Sequence, residues 1–238
     1  MTCVSAHAEI IRDISQEVSE ITYFQNDDQE PRSKSILRMN RVDEKGKTFF
    51  ITELEGEGDY YRYKDVTWRS ESKMVLTSEG LRILSSQLVI QDKNGQAIVW
   101  DKEFDYKTDI VFLTRKTDGI IDLKRNYKIK GAICDDVTMM YYVRNLISGM
   151  EEGQVEHYHL LTNEPKIYRV ALQYREEEDV VLSTDVVKTK KFQLMVDLGA
   201  FTQIAAKIIP KTYIWFTAKE PYSFVKYEGL EFGFNSPY

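Results

Sequence analysis

The feature that most constrains the fold is a repeated pattern of short runs in which polar and apolar residues alternate, separated by turns that end in glycine. Lys47–Leu54, Arg82–Gln91 and Gln96–Phe104 alternate with the period of two that places successive side chains on opposite faces of a β-strand. Asp43–Gly46 and Asp92–Gly95 each end in Gly, which readily takes the positive φ that tight hairpins require. The pattern predicts consecutive antiparallel hairpins.

The other predicted strands share this alternation or are rich in β-branched and aromatic residues. They are Ser35–Val42, Tyr60–Tyr63, Val66–Ser70, Lys73–Thr77, Asp109–Thr114, Gly119–Lys130, Gln154–Leu161, Lys166–Arg175, Val180–Thr184, Val187–Val196, Gln203–Pro210, Thr212–Thr217, Ser223–Tyr227 and Glu231–Phe234. The acidic run Glu176–Asp179 is interpreted as a solvated turn, and Gly56 and Gly58, flanked by acids, as another.

Two segments have helical rather than strand spacing. In Asp135–Gly149 an Asp fits the N-cap, Gly149 fits the C′ position, and Met139, Val143 and Ile147 share one face. A second helix is predicted over Glu9–Glu20. No strand and helix repeat of the parallel type follows either helix, so a doubly wound α/β fold is disfavoured. The predicted fold is mainly β, a single antiparallel spiral β-roll or incomplete barrel, with one central helix and an N-terminal helix.

The chain has 238 residues, of which 42% are hydrophobic and 29% charged, the composition of an ordinary globular protein. It shows no internal repeat, low-complexity linker or shift in composition, so residues 9–238 are predicted to form a single β-rich domain. Residues 1–8 end in Ala6-His7-Ala8, the small-x-small form that signal peptidase reads, but they contain no basic n-region. They are either the remnant of a signal peptide, which predicts a periplasmic or exported protein, or an ordinary N-terminus, which leaves a cytoplasmic one.

Charge and cysteine content limit the partners. The formal charge of -6 repels a polyanion on average, so nucleic acid is not expected as a partner. The densest basic groups are Lys124-Arg125 with Lys128 and Lys130, and Lys188-Lys190-Lys191, and both are interpreted as solvated faces of strands. Cys134 lies in an apolar run and is expected to pack in the core. No stretch approaches the roughly 20 apolar residues that a transmembrane helix needs.

Few motifs point to catalysis. The chain lacks GxxxxGK[ST], GxGxxG and GxSxG, so no cofactor is expected. His157 and His159 would share one face of a strand and are candidate zinc or copper ligands, although core or hydrogen-bonded histidines explain them as well. Carboxylates are paired at Asp135-Asp136, at Glu151-Glu152 and at Glu53 with Glu55, and sequence alone cannot place such a pair across a cleft.

Aromatic residues are abundant, with 15 Tyr, 11 Phe and 3 Trp. A packed core accounts for them, since aromatic residues favour strands. The functional alternative is a curved sheet that shelters an apolar or lipid-like ligand. Its candidate ligand-binding residues are Trp68, Trp100, Tyr141, Tyr142, Tyr213 and Trp215.

The C-terminal half carries a set of residues in a recognisable order: Asp136, Tyr141–Leu146, Tyr168-Arg169-Val170, Thr189-Lys190-Lys191, Ile214-Trp215-Phe216 and Val225–Gly229. This order resembles a family of exported bacterial proteins of unknown function, the domain of unknown function 3108. The resemblance covers about the last 110 residues well and extends to the first half only in strand rhythm. It implies a spiral β-roll or incomplete barrel in the cell envelope, and no chemistry, because no activity is established for that family.

Three hypotheses of function follow. The leading one is a noncatalytic exported envelope protein that binds a hydrophobic or lipid-like ligand in its curved sheet. The second is a structural or assembly partner of other envelope proteins. The third is a carbohydrate-active hydrolase whose carboxylates converge only in the fold.

Overall fold

The computed structural model describes residues 16–23, 31–78, 80–163, 165–182, 185–197 and 211–229. In these ranges an eight-stranded sheet contains β1 Gln16–Tyr23, β2 Ser33–Glu44, β3 Lys47–Tyr60, β4 Tyr63–Thr77, β5 Gly80–Gln91, β6 Ala97–Asp105, β7 Ile110–Thr117 and β8 Ile120–Lys128. A six-stranded sheet contains β9 Ile133–Asp135, β10 Val155–Leu161, β11 Ile167–Leu182, β12 Asp185–Asp197, β13 Thr212–Thr217 and β14 Phe224–Glu228. The helix α1, Met139–Ile147, lies between β9 and β10 in sequence.

Every strand of the eight-stranded sheet pairs antiparallel with its neighbour in sequence. Two connections are tight turns with positive φ at both central residues: Lys45 and Gly46, at 51° and 75°, and Asp118 and Gly119, at 50° and 81°. This is the two-residue geometry that matches the twist of the flanking strands. The glycine-ended turns therefore form hairpins, as the sequence predicts.

The six-stranded sheet is antiparallel except at its start. The chain leaves β8 at the edge of the first sheet and enters β9, and α1 carries it over to β10, which pairs parallel with β9. A parallel pair needs such a crossover, whereas an antiparallel pair needs only a turn. The central helix therefore connects β9, at the edge of the second sheet, to its parallel neighbour β10.

One hydrophobic core joins both sheets and the helix. Phe50 and Val111 of the first sheet, Val143 of α1, and Leu172 and Phe192 of the second sheet are all fully buried within it. The mainly β, largely antiparallel fold with a central helix is confirmed, and its strands are divided between two sheets. No helix among the described residues is long and apolar enough to cross a membrane.

The predicted N-terminal helix is wrong over its last five residues. Gln16–Glu20 begins β1, and every residue of β1 pairs with β2. Residues 9–15 lie outside the described ranges. The helical spacing of a few apolar residues is a weak preference. The edge of the long strand β2 offers hydrogen bonds to the backbone of β1, and this pairing prevails.

The central helix begins later than predicted, at Met139 with Thr138 as its N-cap. Asp135 therefore lies three residues before the cap, and its carboxylate accepts hydrogen bonds from Lys102 and from the N–H of Thr138. The acidic run Glu176–Asp179 is also not a turn. It lies inside β11, which is continuous over two predicted strands, and its residues pair with Lys188–Lys191 of β12.

Gly56 and Gly58 lie inside β3 rather than in a turn. Gly56 is directly opposite Trp68, and a Cβ at Gly56 would lie 2.3 Å from the indole ring. The glycine therefore lets the tryptophan lie flat across the neighbouring strand. The predicted strands Gln203–Pro210 and Glu231–Phe234 fall outside the described residues.

Candidate functional site

A groove of about 600 Å³ crosses the outer face of the eight-stranded sheet, over β4 to β8. Its volume lies within the range of about 300–1,000 Å³ that is usual for small-molecule sites. Its described lining residues are Glu71, Lys73, Ser85, Ser86, Gln87, Asp101, Lys102, Glu103, Phe112, Thr114, Lys116, Ile121 and Lys124.

The strand register places these side chains in rows. Glu71 pairs with Gln87, Gln87 with Asp101, Asp101 with Thr114 and Thr114 with Lys124, so one row crosses five strands. A neighbouring row runs through Lys73, Ser85, Glu103 and Phe112. Directly opposite residues point to the same face of a sheet. The groove is therefore built from residues far apart in sequence, and the hairpin turns fix the register.

The groove is polar, and its charges balance. Its described lining has three carboxylates on the outer face, from Glu71, Asp101 and Glu103, and three lysines there, Lys73, Lys116 and Lys124. Lys116 Nζ donates to Asp101 Oδ2 over 2.8 Å, and Gln87 Nε2 donates to Asp101 Oδ1 over 2.7 Å. Lys73 lies over the ring of Phe49, 4.4 Å from its centre.

Other groups in the groove remain available to a ligand. In the described part of the chain, Glu71, Glu103 and Lys124 make no ion pair. Phe112 is 40% exposed and Ile121 is 47% exposed. The arrangement offers acceptors, donors and a small apolar surface, and carries no net charge that would favour an ionic ligand.

Directly behind the groove, the core face of the same strands carries a buried charged cluster, defined as Lys102, Asp135, Asp136, Ser86 and Thr138. Lys102 Nζ lies 3.2 Å from Asp135 Oδ2 and 2.8 Å from Asp136 Oδ1, and all three side chains are at most 4% exposed. Ser86 donates to Asp135, as do the backbone N–H and the hydroxyl of Thr138. The cluster joins β5 and β6 of one sheet to the last residue of β9 and to the segment between β9 and α1.

Burial and charge act in opposite directions within this cluster. Burial opposes the charge of Lys102, but the two aspartates prevail and raise its pKa. Burial also opposes the charge of Asp135, and Lys102, Ser86 and Thr138 together lower its pKa. The pKa of Asp136 is raised, because burial and the neighbouring Asp135 outweigh its attraction to Lys102. Such a cluster stabilises a defined arrangement of the two sheets rather than supplying an accessible catalytic group.

A row of buried hydroxyls continues the cluster along the core face. Thr52 pairs with Ser72, Ser72 with Ser86, and Ser86 with Lys102. The hydroxyls of Thr52, Ser70 and Ser72 have no hydrogen-bond partner among the described residues. A polar stripe therefore runs through the otherwise apolar interior of the first sheet.

The aromatic residues predicted to bind a ligand do not line the groove. Trp68, Trp100, Tyr141 and Tyr142 belong to the core, each at most 6% exposed. Tyr142 contacts Tyr158, and the centres of the two rings are 5.8 Å apart. The structure places these side chains among core residues, and a role in binding stays a prediction.

The other two predicted aromatic residues lie together on β13. The ring centres of Tyr213 and Trp215 are 5.9 Å apart, and Lys191 Nζ lies 4.9 Å from the first and 5.3 Å from the second. Trp215 is buried and donates its indole N–H to Glu178. Lys191 and the two rings form a cation–π stack on the second sheet, whereas the groove lies on the first sheet.

His157 and His159 lie on the same face of β10, His157 exposed and His159 half-buried. Opposite them on β11 stand Ala171 and Arg169, neither of which is a metal ligand, and His159 Nδ1 is 3.3 Å from the carbonyl oxygen of Ala132. The described residues include no group of three or more potential ligands. Metal binding by these histidines stays a prediction.

Of the predicted acid pairs, Asp135-Asp136 is engaged by Lys102, and Glu151-Glu152 is exposed in a turn. Glu55 contacts Arg38 at 3.2 Å on the outer face. The carboxylates that the fold does bring together, those of the groove, were missed because their alignment depends on register. Lys102 left a local signal, because it alternates with Trp100 and Phe104 on the core face of β6.

Comparison with known proteins gives a similar solved structure but no family. No protein-family model matches the chain, and no curated protein does. Among solved structures, the chain is similar to a β-barrel-like protein of the domain of unknown function DUF1849 from Brucella abortus. The TM-score is 0.45 and the identity 9%, with 91% of this chain and 97% of that chain covered.

Proposed function

We propose that the chain is a noncatalytic binding protein of the bacterial cell envelope, and that the groove on β4 to β8 takes a neutral, hydroxyl-rich ligand such as a saccharide. The observation that carries the proposal is the lining of the groove, in which carboxylates and lysines balance around an exposed aromatic ring. The envelope location is supported by the Ala6-His7-Ala8 motif and by the resemblance of the C-terminal half to exported proteins.

The chemistry of a hydroxyl group matches this lining. Each hydroxyl donates one hydrogen bond and accepts others, whereas a carboxylate only accepts and an ammonium only donates. Glu71 and Glu103 can therefore receive hydroxyl donors while Lys124 donates to hydroxyl oxygens. The ring of Phe112 gives the C–H face of a sugar a surface to lie on. An apolar ligand, the first expectation from the sequence, has less support, because the tryptophans that would contact it lie in the core.

Titration calorimetry with neutral oligosaccharides tests the proposal. Phe112→Ala should weaken binding about fivefold to tenfold, since an aromatic contact contributes about 1 kcal/mol beyond area burial. Tyr213→Ala is the matched control, because it removes a half-buried aromatic side chain from the other sheet. Loss of binding in Tyr213→Ala but not in Phe112→Ala would place the site on the second sheet. Binding of a lipid, with no binding of any saccharide, would refute the proposal.

A second function, carbohydrate hydrolysis, is favoured by one observation: the fold brings Glu71, Asp101 and Glu103 into one groove. Glycosidases use two carboxyl groups about 5–9.5 Å apart, one as acid and one as base or nucleophile. Asp101 is held by Lys116 and Gln87, which leaves Glu71 and Glu103 as the pair. The test is the rate at which the protein hydrolyses chromogenic glycosides. A rate that falls at least about a hundredfold in both Glu71→Gln and Glu103→Gln would show that the protein is a hydrolase rather than a noncatalytic binding protein. Binding without hydrolysis supports the noncatalytic role.

A further inference from the structure

Strand β8 forms an edge of the eight-stranded sheet. It pairs with β7 through Ile110–Arg115 and Leu123–Lys128, and a bulge at Arg115 and Lys116 interrupts the register near its start. No strand of the described ranges pairs with its other side. A strand in this position presents backbone groups that another extended chain can pair with.

The hydrogen bonding of β7 shows which backbone groups of β8 face outward. Ile129 N donates to Asp109 O over 2.8 Å, so these two residues form a hydrogen-bonded pair. Such pairs alternate along an antiparallel ladder. Arg125 and Tyr127 therefore bond to β7, and the N–H and C=O groups of Lys124, Asn126 and Lys128 point away from the sheet.

The side chains of this edge are basic and unpaired. Lys124, Arg125 and Lys128 are exposed and make no ion pair with any described residue. On β7, by contrast, Arg115 pairs with Asp122 at 2.8 Å and Lys116 pairs with Asp101 at 2.8 Å. A protein with a formal charge of -6 thus leaves three cations within residues 124–128 of one strand without counterions from the described chain.

These cations flank both faces of the edge. Lys124 stands opposite Thr114 and Lys128 opposite Ile110, on the outer face, whereas Arg125 stands opposite the buried Leu113. A strand added to β8 would place successive side chains on alternate faces. Acidic residues opposite Lys124, Arg125 and Lys128 would each face a cation, at positions one and three residues apart.

We infer that β8 is a docking edge for an acidic, extended segment of a partner protein, which adds to the sheet as a further strand. The backbone of Lys124, Asn126 and Lys128 supplies hydrogen bonds, and the basic side chains select carboxylates. Lysines on an edge also repel basic strands, and they disfavour neutral ones because pairing would desolvate their charge without compensation. The same residues therefore prevent unspecific pairing and admit an acidic strand. Ile120 and Ile121, 73% and 47% exposed, add apolar contact beside them.

This inference goes beyond saccharide binding, and apart from Lys124 and Ile121 it uses different residues. Arg125, Asn126 and Lys128 do not line the groove. Variants at these three positions should leave saccharide affinity unchanged, so failure of one proposal does not imply failure of the other.

Fluorescence anisotropy with a labelled eight-residue peptide, Thr-Val-Glu-Val-Thr-Glu-Glu-Val, tests the inference at low salt, because an antiparallel strand of this sequence can place a glutamate opposite each of Lys128, Arg125 and Lys124. The variant Arg125→Glu/Lys128→Glu should weaken binding at least about tenfold, because two attractions become repulsions. Asn126→Pro should weaken it about tenfold by removing an outward N–H, a change that edge strands tolerate. Lys47→Glu, an exposed substitution at the start of β3, is the control and should have no effect. Circular dichroism and thermal unfolding verify that each variant is folded.

A peptide N-methylated on alternate residues keeps the charges and loses the edge hydrogen bonds, so it tests strand addition on the unaltered protein. Its failure to bind supports the inference. Equal binding of the methylated peptide would overturn it, as would heparin or single-stranded RNA that binds more tightly than the peptide. Sedimentation measures self-association of the chain. If the wild type self-associates and Arg125→Glu/Lys128→Glu does not, the edge binds a second copy of the chain, and the inference of an acidic partner is overturned.

Discussion

Lys102→Met removes the cation between Asp135 and Asp136 while keeping a side chain of similar length. Lys102 Nζ lies 3.2 Å and 2.8 Å from the two carboxylates, and no more than 1% of its side chain is exposed. After the substitution Asp135 still accepts from Ser86 and Thr138, but Asp136 retains only the N–H of Asn163, at 3.3 Å, among its described contacts. Breaking a buried pair in this way costs about 3–5 kcal/mol, because a charge remains without compensation.

Protonation sets an upper limit to that cost. The variant can relieve the uncompensated charge by protonating one aspartate, whose ordinary pKa is 3.8. Each pH unit above that value costs about 1.4 kcal/mol, so protonation costs about 4 kcal/mol at pH 7 and about 2 kcal/mol at pH 5. In the variant the folded pKa lies above the unfolded one, so the penalty is full at neutral pH and declines as pH falls towards 3.8. The deficit of the variant should therefore shrink by about half between pH 7 and pH 5.

Urea denaturation of the wild type and the variant at both pH values measures the deficit. Lys116→Met is the matched control, because its Nζ lies 2.8 Å from Asp101 but is partly exposed, and an exposed pair contributes at most about 1 kcal/mol. Asp136→Asn should stabilise Lys102→Met at pH 7 by removing the disfavoured charge. A deficit below about 1 kcal/mol at pH 7, or one that is the same at pH 5, would refute the reasoning.

Three other substitutions or treatments test separate features. Gly56→Ala should lower the free energy of unfolding by about 1–3 kcal/mol, because a Cβ 2.3 Å from the Trp68 ring forces repacking; an unchanged urea midpoint would contradict this. Glu17→Gln should cost about 3 kcal/mol, since the buried Arg144 guanidinium, which donates to both Glu17 oxygens, loses its counterion; thermal unfolding at an unaltered Tm would argue otherwise. Burial raises the pKa of the Cys134 thiol, so in a Cys3→Ser variant a thiol reagent should modify Cys134 only at the rate of unfolding. Rapid labelling of that variant in its native state would exclude the described packing.

The strands could be predicted because their signal is local. The alternation in Arg82–Gln91 and the turn at Asp43–Gly46 contain the whole information for a strand and a hairpin, and the structure confirms both. Gln16–Glu20 and Glu176–Asp179 were assigned wrongly for the opposite reason. Each is a strand because of a partner elsewhere, β2 in the first case and the lysines of β12 in the second.

The candidate site was harder to predict, since it depends on register. Its row from Glu71 to Lys124 exists only after four hairpins have aligned, and no local pattern marks it. The aromatic residues gave a stronger local signal and suggested a different surface. Lys102 could have been found, because a lysine at a core-facing position of an alternating strand requires a buried carboxylate.

The order of the eight-stranded sheet has a consequence for how the chain acquires its structure. Since each of these strands pairs with the one before it, the sheet can grow by one hairpin at a time as the polypeptide emerges from the ribosome. Every step closes a short loop and carries a small entropic cost. Until β9 and the helix follow, Lys102 of the incomplete sheet has neither of its two aspartate partners. When Asp135 and Asp136 pack against it, they neutralise its charge and connect the second sheet to the first.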